Sequence, residues 1–184
     1  MVTLEDVKNN PEVQELIIGA QKQLDALGYT EHSQRHVSIV SNRAGRILET
    51  LGYEKHRIEL AKIAGYLHDI GNGVNRVDHA HSGAILAYNI LKDMGMDVKD
   101  RMEIMSAIGN HDEATGTAVS DISAALILAD KSDVHRDRVV NKNMATFDIH
   151  DRVNYAVTEA NLEIDNVDRK VILDLTIDTK ICPV

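Results

Sequence analysis

The chain has 184 residues, 43% of them hydrophobic, which is enough for one domain with its own core; aromatics are only 3%, so that core falls to Leu, Ile, Val, Ala and Met. The net charge of −9 excludes general affinity for a nucleic acid polymer, and no apolar run reaches membrane-spanning length. A single cysteine, Cys182, excludes an intramolecular disulfide and a cysteine-based zinc site. Together with an N-terminus lacking a signal peptide's basic and apolar regions, it points to a reduced, cytoplasmic chain.

Helix follows helix along most of the sequence. Pro11 to Leu27 reads as one, ended by Gly28; Ser33 caps a second that runs to Leu51 and stops at Gly52. Lys55 to Ile70 is a third, followed by a turn over Gly71-Asn72-Gly73-Val74-Asn75. Further helices are predicted over Asp78 to Met94, Val98 to His111, Ser120 to Lys131 and Ile149 to Glu159, with Thr115 to Ala118 as a loop. From Asn161 the pattern changes: Leu162, Ile164 and Val171 to Ile177 flank Asn166-Val167-Asp168 as a hairpin. The expected architecture is an all-α bundle over 1–160 with a β-like extension of the same domain over 161–184. The hairpin's unpaired edge leaves two options open, a homodimer contact or a cover for the helices. Gly45 and Gly65, in mid-helix, mark close helix crossings.

The apolar stripes single out six polar residues. Val37, Val40, Ala44, Ile47, Leu48 and Leu51 form one stripe, and His36 extends it. Leu60, Ala64 and Leu67 lead to His68 and Asp69. His79 shares a face with Gly83, Leu86 and Ile90, whereas His81 falls on a boundary face with Ile85, Tyr88 and Lys92. Ile104 and Ile108 lead to His111, and Ile122, Leu126 and Ile127 run into Asp130. His32, His56, His135 and His150 lie on polar stretches and are expected at the surface. A carboxylate placed against an apolar face needs a compensating charge. A divalent metal supplies it, and imidazole with carboxylate is the donor set that a transition metal takes. A single inward histidine would more simply be a hydrogen-bonded core residue; six inward groups on five helices favour a metal centre.

His36, then Tyr66-Leu67-His68-Asp69-Ile70-Gly71, then Leu128-Ala129-Asp130-Lys131 resembles the HD-domain superfamily of metal-dependent phosphohydrolases. The resemblance spans about Ser33 to Arg138, and its four-residue signature falls on His36, His68, Asp69 and Asp130. His79-Ala80-His81-Ser82-Gly83 and Ile108-Gly109-Asn110-His111 are similar to the extra histidines of the dinuclear branch, which adds His79 and His111 to the set. The resemblance thus implies an HD-like helical fold with one or two divalent ions (Fe, Mn, Zn, Ni or Co, with Mg admitted). It implies hydrolysis of a phosphate ester or anhydride in a small metabolite or nucleotide by a metal-activated water, with His68 and Asp69 as catalytic residues.

Within that set Asp69 is the expected bridge, because a carboxylate offers two oxygens. His36, His68 and Asp130 complete one ion, and His79 with His111 the other. Lys131 and Arg138 are candidates for the substrate phosphate, and Asn72, Asp112 and Glu113 lie close by in sequence. The Gly-Tyr-Pro motif of cyclic-dinucleotide-degrading relatives is absent, and the substrate is left open. Two other functions fit the same framework: a di-iron oxygenase, and a metal- or ligand-binding regulatory module without turnover.

Overall fold

The computed structural model describes residues 2–29, 31–141, 143–168 and 170–182. Among these, α1 (Leu4–Lys8) is a single short turn held by a reciprocal cap between Thr3 and Asp6. Helix α2 (Pro11–Leu27) starts where Asn10 accepts from the Glu12 and Val13 amides, and it ends on Gly28 at φ 79°. Then come α3 (Gln34–Thr50), capped by Ser33, and α4 (Lys55–Leu67). They are followed by α5 (His79–Asp93), α6 (Val98–Gly109) and α7 (Asp121–Lys131), the last capped by Ser120. Helix α8 (Ile149–Ala156) leads directly into β1 (Val157–Asp165), which pairs antiparallel with β2 (Lys170–Ile177). The fold is therefore a mostly helical bundle with a C-terminal hairpin, as expected.

Four boundaries differ from expectation. Helix α1 was not anticipated; five residues are too few to show a helical period. Helix α4 stops at Leu67 instead of Ile70, and Ile70–Gly73 tightens into a 3-10 turn. The reason lies at Gly71, where a Cβ would collide with the His79 carbonyl oxygen and the Gly83 backbone, so the chain leaves the helix to pack against the start of α5. Helix α6 ends at Gly109, leaving His111 just outside. Helix α8 ends at Ala156, and the hairpin begins at Val157, ahead of Asn161.

One core joins α2 to α7, with Val40, Leu48, Ile63, Leu67, Ile104, Ile108 and Leu126 inside it and Leu162 of β1 attached. Tyr66 is fully buried, its hydroxyl accepting from Gln14 Nε2 at 3.1 Å and from Gln34. The close crossing expected at Gly65 is present: a Cβ there would sit 2.8 Å from Ser41 Cα. Ser41 Oγ donates to the Lys62 carbonyl at 2.7 Å across the same crossing. Gly45 likewise lies against the Lys62 side chain. These contacts fix the middle of α3 against the second half of α4, and so place His36 beside His68. Among the described residues, no helix is long and apolar enough to cross a membrane.

Candidate metal centre

All six expected ligands lie at helix ends. His36 is in the first turn of α3 and His79 opens α5; His68 and Asp69 follow α4, His111 follows α6, and Asp130 is in the last turn of α7. The four histidines and Asp69 are buried, and the Asp130 side chain is 12% exposed. His81, by contrast, is 57% exposed beside Asp78.

Helix termination itself orients two of the histidines, and a turn orients a third. A helix end leaves carbonyls without an internal partner. His68 Nδ1 donates to Gly65 O at 2.9 Å and His111 Nδ1 to Ile108 O at 2.6 Å, each reaching back three residues. His79 Nδ1 does the same to Arg76 O at 3.1 Å, in the turn before α5. A carbonyl only accepts, so Nδ1 carries a proton in each, and Nε2 is the nitrogen turned towards the cluster. His36 uses a carboxylate instead: its Nδ1 lies 2.7 Å from Asp133 Oδ2. Asp133 is itself buried, and Arg35 and Arg138 lie near the same oxygen at 3.5 and 3.8 Å.

The four Nε2 atoms converge. That of His36 lies 3.3 Å from Asp130 Oδ1 and 3.6 Å from Asp69 Oδ2. That of His68 lies 3.3 Å from Asp69 Oδ2 and 3.6 Å from Asp130 Oδ1. On the other side of Asp69, Oδ1 is 3.6 Å from His79 Nε2, which is 3.3 Å from His111 Nε2. Donors at about 2.1 Å from a tetrahedral ion sit about 3.4 Å apart, so these spacings fit a metal. His36 Nε2, His68 Nε2 and Asp69 Oδ2 are buried without a hydrogen-bond partner, a costly state that an ion would relieve. Two overlapping triplets, His36/His68/Asp130 and His68/Asp69/His111, each place their ligand atoms within 4.8 Å of one another. The clustered residues have the capacity to hold one or two divalent ions.

Electrostatics show how the metal-free centre balances itself. Burial opposes a charge on His68, but Asp69 and Asp130 outweigh it and push the imidazole up to about 10. Burial would likewise raise both carboxyls, yet the surrounding imidazoles hold Asp69 and Asp130 well below the usual range. Burial, with His68 nearby, pushes His111 down to about 4, and burial also lowers His79. The free centre thus carries an imidazolium at His68 between two carboxylates, with neutral imidazoles at His79 and His111.

A cavity of about 260 Å³ opens onto this cluster, its wall including Asp69, His79, Asp130, Arg76, Lys131 and Arg138. Lys131 Nζ reaches Glu113 Oε2 at 2.5 Å and Asp130 Oδ2 at 3.0 Å. Arg138 also lines the cavity, but its guanidinium is engaged with the Asp133 carbonyl at 2.9 Å and the Glu31 carbonyl at 3.2 Å. Asn72 donates to Asp69 Oδ1 at 2.9 Å, and Arg76 Nη1 lies 3.3 Å from both Asn72 Oδ1 and His79 Nε2.

Sequence reasoning missed two of these partners. Asp133 stands in a run of mixed charge, which hides it, although its position three residues after Asp130 puts both on one side of the chain. Arg76 carried no signal, because a loop has no period. The four remaining histidines also divide. His150 is exposed as expected, but His32, His56 and His135 are half-buried. His32 packs edge-on against His36 at 5.3 Å, His56 pairs with Asp100 at 2.9 Å, and His135 donates to the Thr158 carbonyl at 3.0 Å.

Comparison with known proteins agrees with this geometry. An uncharacterized protein of Methanocaldococcus jannaschii is 31% identical over 134 residues, which cover 61% of this chain and 51% of that protein, so the match spans about half of that relative's length. The crystal structure of a predicted HD superfamily hydrolase from an uncultured Thermotogales bacterium is similar, with a TM-score of 0.52 and 30% identity over 67% of each chain. The family description that matches residues 34–142 is the HD domain, so the convergent His36, His68, Asp69 and Asp130 stand in a chain that belongs to the HD domain family.

Proposed function

We propose that this protein is a metal-dependent phosphohydrolase that cleaves a phosphate ester or anhydride of a small metabolite or nucleotide. The observation that carries it is the set of buried, unpartnered ligand atoms on His36, His68 and Asp69, which face one another behind the wall that Asp69, His79, His111 and Asp130 form in an open cavity. His36, His68, Asp69 and Asp130 would hold one ion, and Asp69, His79 and His111 a second. Bound there, divalent ions supply Lewis-acid polarisation of a phosphoryl oxygen and acidify a water to hydroxide at neutral pH.

The chain's own groups do the rest. Asp69 presents one oxygen to each half of the cluster while Asn72 holds it by a hydrogen bond, which fixes the spacing of the two halves. Lys131 steadies the outer oxygen of Asp130 and faces the cavity, where a phosphate oxygen can take its remaining donor. Arg76 offers a second cation on the opposite side, beside His79. Arg138, with its donors committed to backbone carbonyls, braces Asp133 and through it His36. A cavity of about 260 Å³ admits a small phosphorylated molecule, or the phosphate end of a larger one.

The test is phosphate release from a panel of phosphomonoesters and nucleotides, with the protein loaded in turn with Mn, Fe, Co, Ni, Zn and Mg. Turnover is expected with at least one pair, and its loss in Asp69→Asn and His68→Ala with the fold intact by circular dichroism. The donor set of four imidazoles and two carboxylates suits two irons equally well, which makes an oxygenase the second function. Dioxygen uptake by the iron-loaded protein without phosphate release would select it. Stoichiometric metal without either reaction would leave a binding module.

A further inference from the structure

Outside the metal centre, the most conspicuous unsatisfied feature is the outer edge of the hairpin. Strand β1 is the inner strand: its Ala160 carbonyl accepts from Arg43 at 3.4 Å, and Leu162 belongs to the core. Strand β2 is the outer one, with Lys170 to Asp174 exposed, Val171 at 40%, Ile172 at 43% and Leu173 at 37%. Among the described residues, no backbone hydrogen bond reaches its outer edge. An antiparallel ladder turns its backbone groups alternately inward and outward. Since Ala160 turns its carbonyl away from β2 towards Arg43, its partner Leu175 faces the open side, as do Leu173 and Val171. Ile172 and Asp174 spend their backbone groups on β1.

We propose that β2 pairs with β2 of a second copy of this chain, antiparallel about a two-fold axis through Ile172, so that the dimer carries a four-stranded sheet. A two-fold pairing must match outward groups with outward groups, so its axis passes through a residue. An axis at Asp174 sets two aspartates face to face. An axis at Leu173 sets Ile172 against Asp174 and Lys170 against Thr176. An axis at Ile172 sets Lys170 against Asp174 twice, Val171 against Leu173 twice, and Ile172 against itself. The segment Lys170-Val171-Ile172-Leu173-Asp174 is thus self-complementary in charge and in apolar character in that register alone. Val171 and Leu173 lie on the same face as Ile164 and Leu162, so pairing joins two half-covered apolar strips into one. Within one chain Lys170 pairs with Asp168 of the turn, an exposed pair that it can exchange for the new one. Strand pairing over five residues falls short of the roughly 1,200 Å² of a standard stable interface, so the dimer is a weak, reversible one. The competing role for Lys170 and Asp174 is to blunt the edge against any pairing.

The mass of the full chain by sedimentation, followed over a wide concentration range, separates the two. A dimer is expected at high concentration, dissociating on dilution; a monomer throughout overturns the proposal. Lys170→Asp or Asp174→Lys alone should weaken the dimer about tenfold, and the double exchange should restore it. A dimer indifferent to the single exchanges would also overturn it. In a Cys182→Ser background, Ile172→Cys should cross-link into a covalent dimer under diamide, because a non-hydrogen-bonded pair brings Cβ atoms about 4.5–5.5 Å apart. Cross-linking through Thr176→Cys in place of Ile172→Cys would refute the register.

Discussion

The proton on His68 is the group that a metal must displace. In the metal-free centre that imidazole is held charged up to about 10, whereas His79 and His111 are already neutral with their lone pairs directed inward. Binding at the His36/His68/Asp69/Asp130 half therefore releases the His68 proton, and that release raises its apparent affinity about tenfold per pH unit through the neutral range. Calorimetry in two buffers of different ionisation enthalpy checks this; a proton release near zero would rule it out. The same shift fixes the pH profile of the metal-free protein. A raised pKa stabilises fully below 6.5 and is lost as pH rises towards about 10, while the lowered carboxyls stabilise above 3.8 and are lost as pH falls. The lowered His79 and His111 stay neutral when folded and so cost stability as pH falls below 6.5, which puts the peak of thermal stability of the metal-free chain near pH 6.5. Asp133 gives a second prediction at this scale. Its carboxylate sits 2.7 Å from His36 Nδ1 and strengthens Nε2 as a donor, so Asp133→Asn should cost about 10–100-fold in metal affinity. Equilibrium dialysis would measure it, and unchanged affinity would mean that the contact only fills space.

At the scale of elements, two glycines in helix interiors should respond with opposite signs. Alanine gains about 1 kcal/mol over glycine wherever nothing else intervenes. Gly19 of α2 has open space around the position of its missing Cβ, so Gly19→Ala should stabilise by about 0.5–1 kcal/mol. Gly65 of α4 faces the Ser41 backbone, which cannot swing aside, so Gly65→Ala should destabilise by about 1–3 kcal/mol despite the better propensity. Urea titrations of both variants decide it, and equal signs would refute the close crossing. That crossing was legible beforehand, since a glycine inside an apolar stripe has few other uses. The ligands were legible for a related reason: each stands at the end of a stripe, and a stripe's direction is set by a period visible in sequence. The helix ends were not. Whether α4 stops at Leu67 or Ile70 depends on Gly71 meeting the carbonyl of His79, a contact between residues joined by a turn that has no period. The switch from α8 to β1 was hidden as well, because Val157-Thr158-Glu159-Ala160 shows no alternation of apolar and polar residues.

For the whole molecule, the six proposed ligands come from the ends of α3, α4, α5, α6 and α7, while the chain as a whole carries a charge of −9. An acidic protein that buries further carboxylates at one point is held together against its own repulsion there, with the His68 imidazolium as counter-charge in the metal-free state. A bound metal would do two things at once: replace that proton with a larger charge, and link helix ends that pack against the core. Linkage then sets the size of the effect, because an ion that binds only the folded chain at about 100 times its dissociation constant adds about 2.7 kcal/mol. For a chain of this length, each kcal/mol moves the midpoint by about 2–4 °C. Saturating metal should accordingly raise Tm by about 5–10 °C, and a chelator should reverse the rise. His36→Ala, which removes a ligand from the proton-carrying half of the cluster, should abolish most of the shift. His81→Ala, on the exposed face of α5, should leave it whole. If both variants lost the shift equally, metal would be binding to the acidic surface and not to the buried cluster.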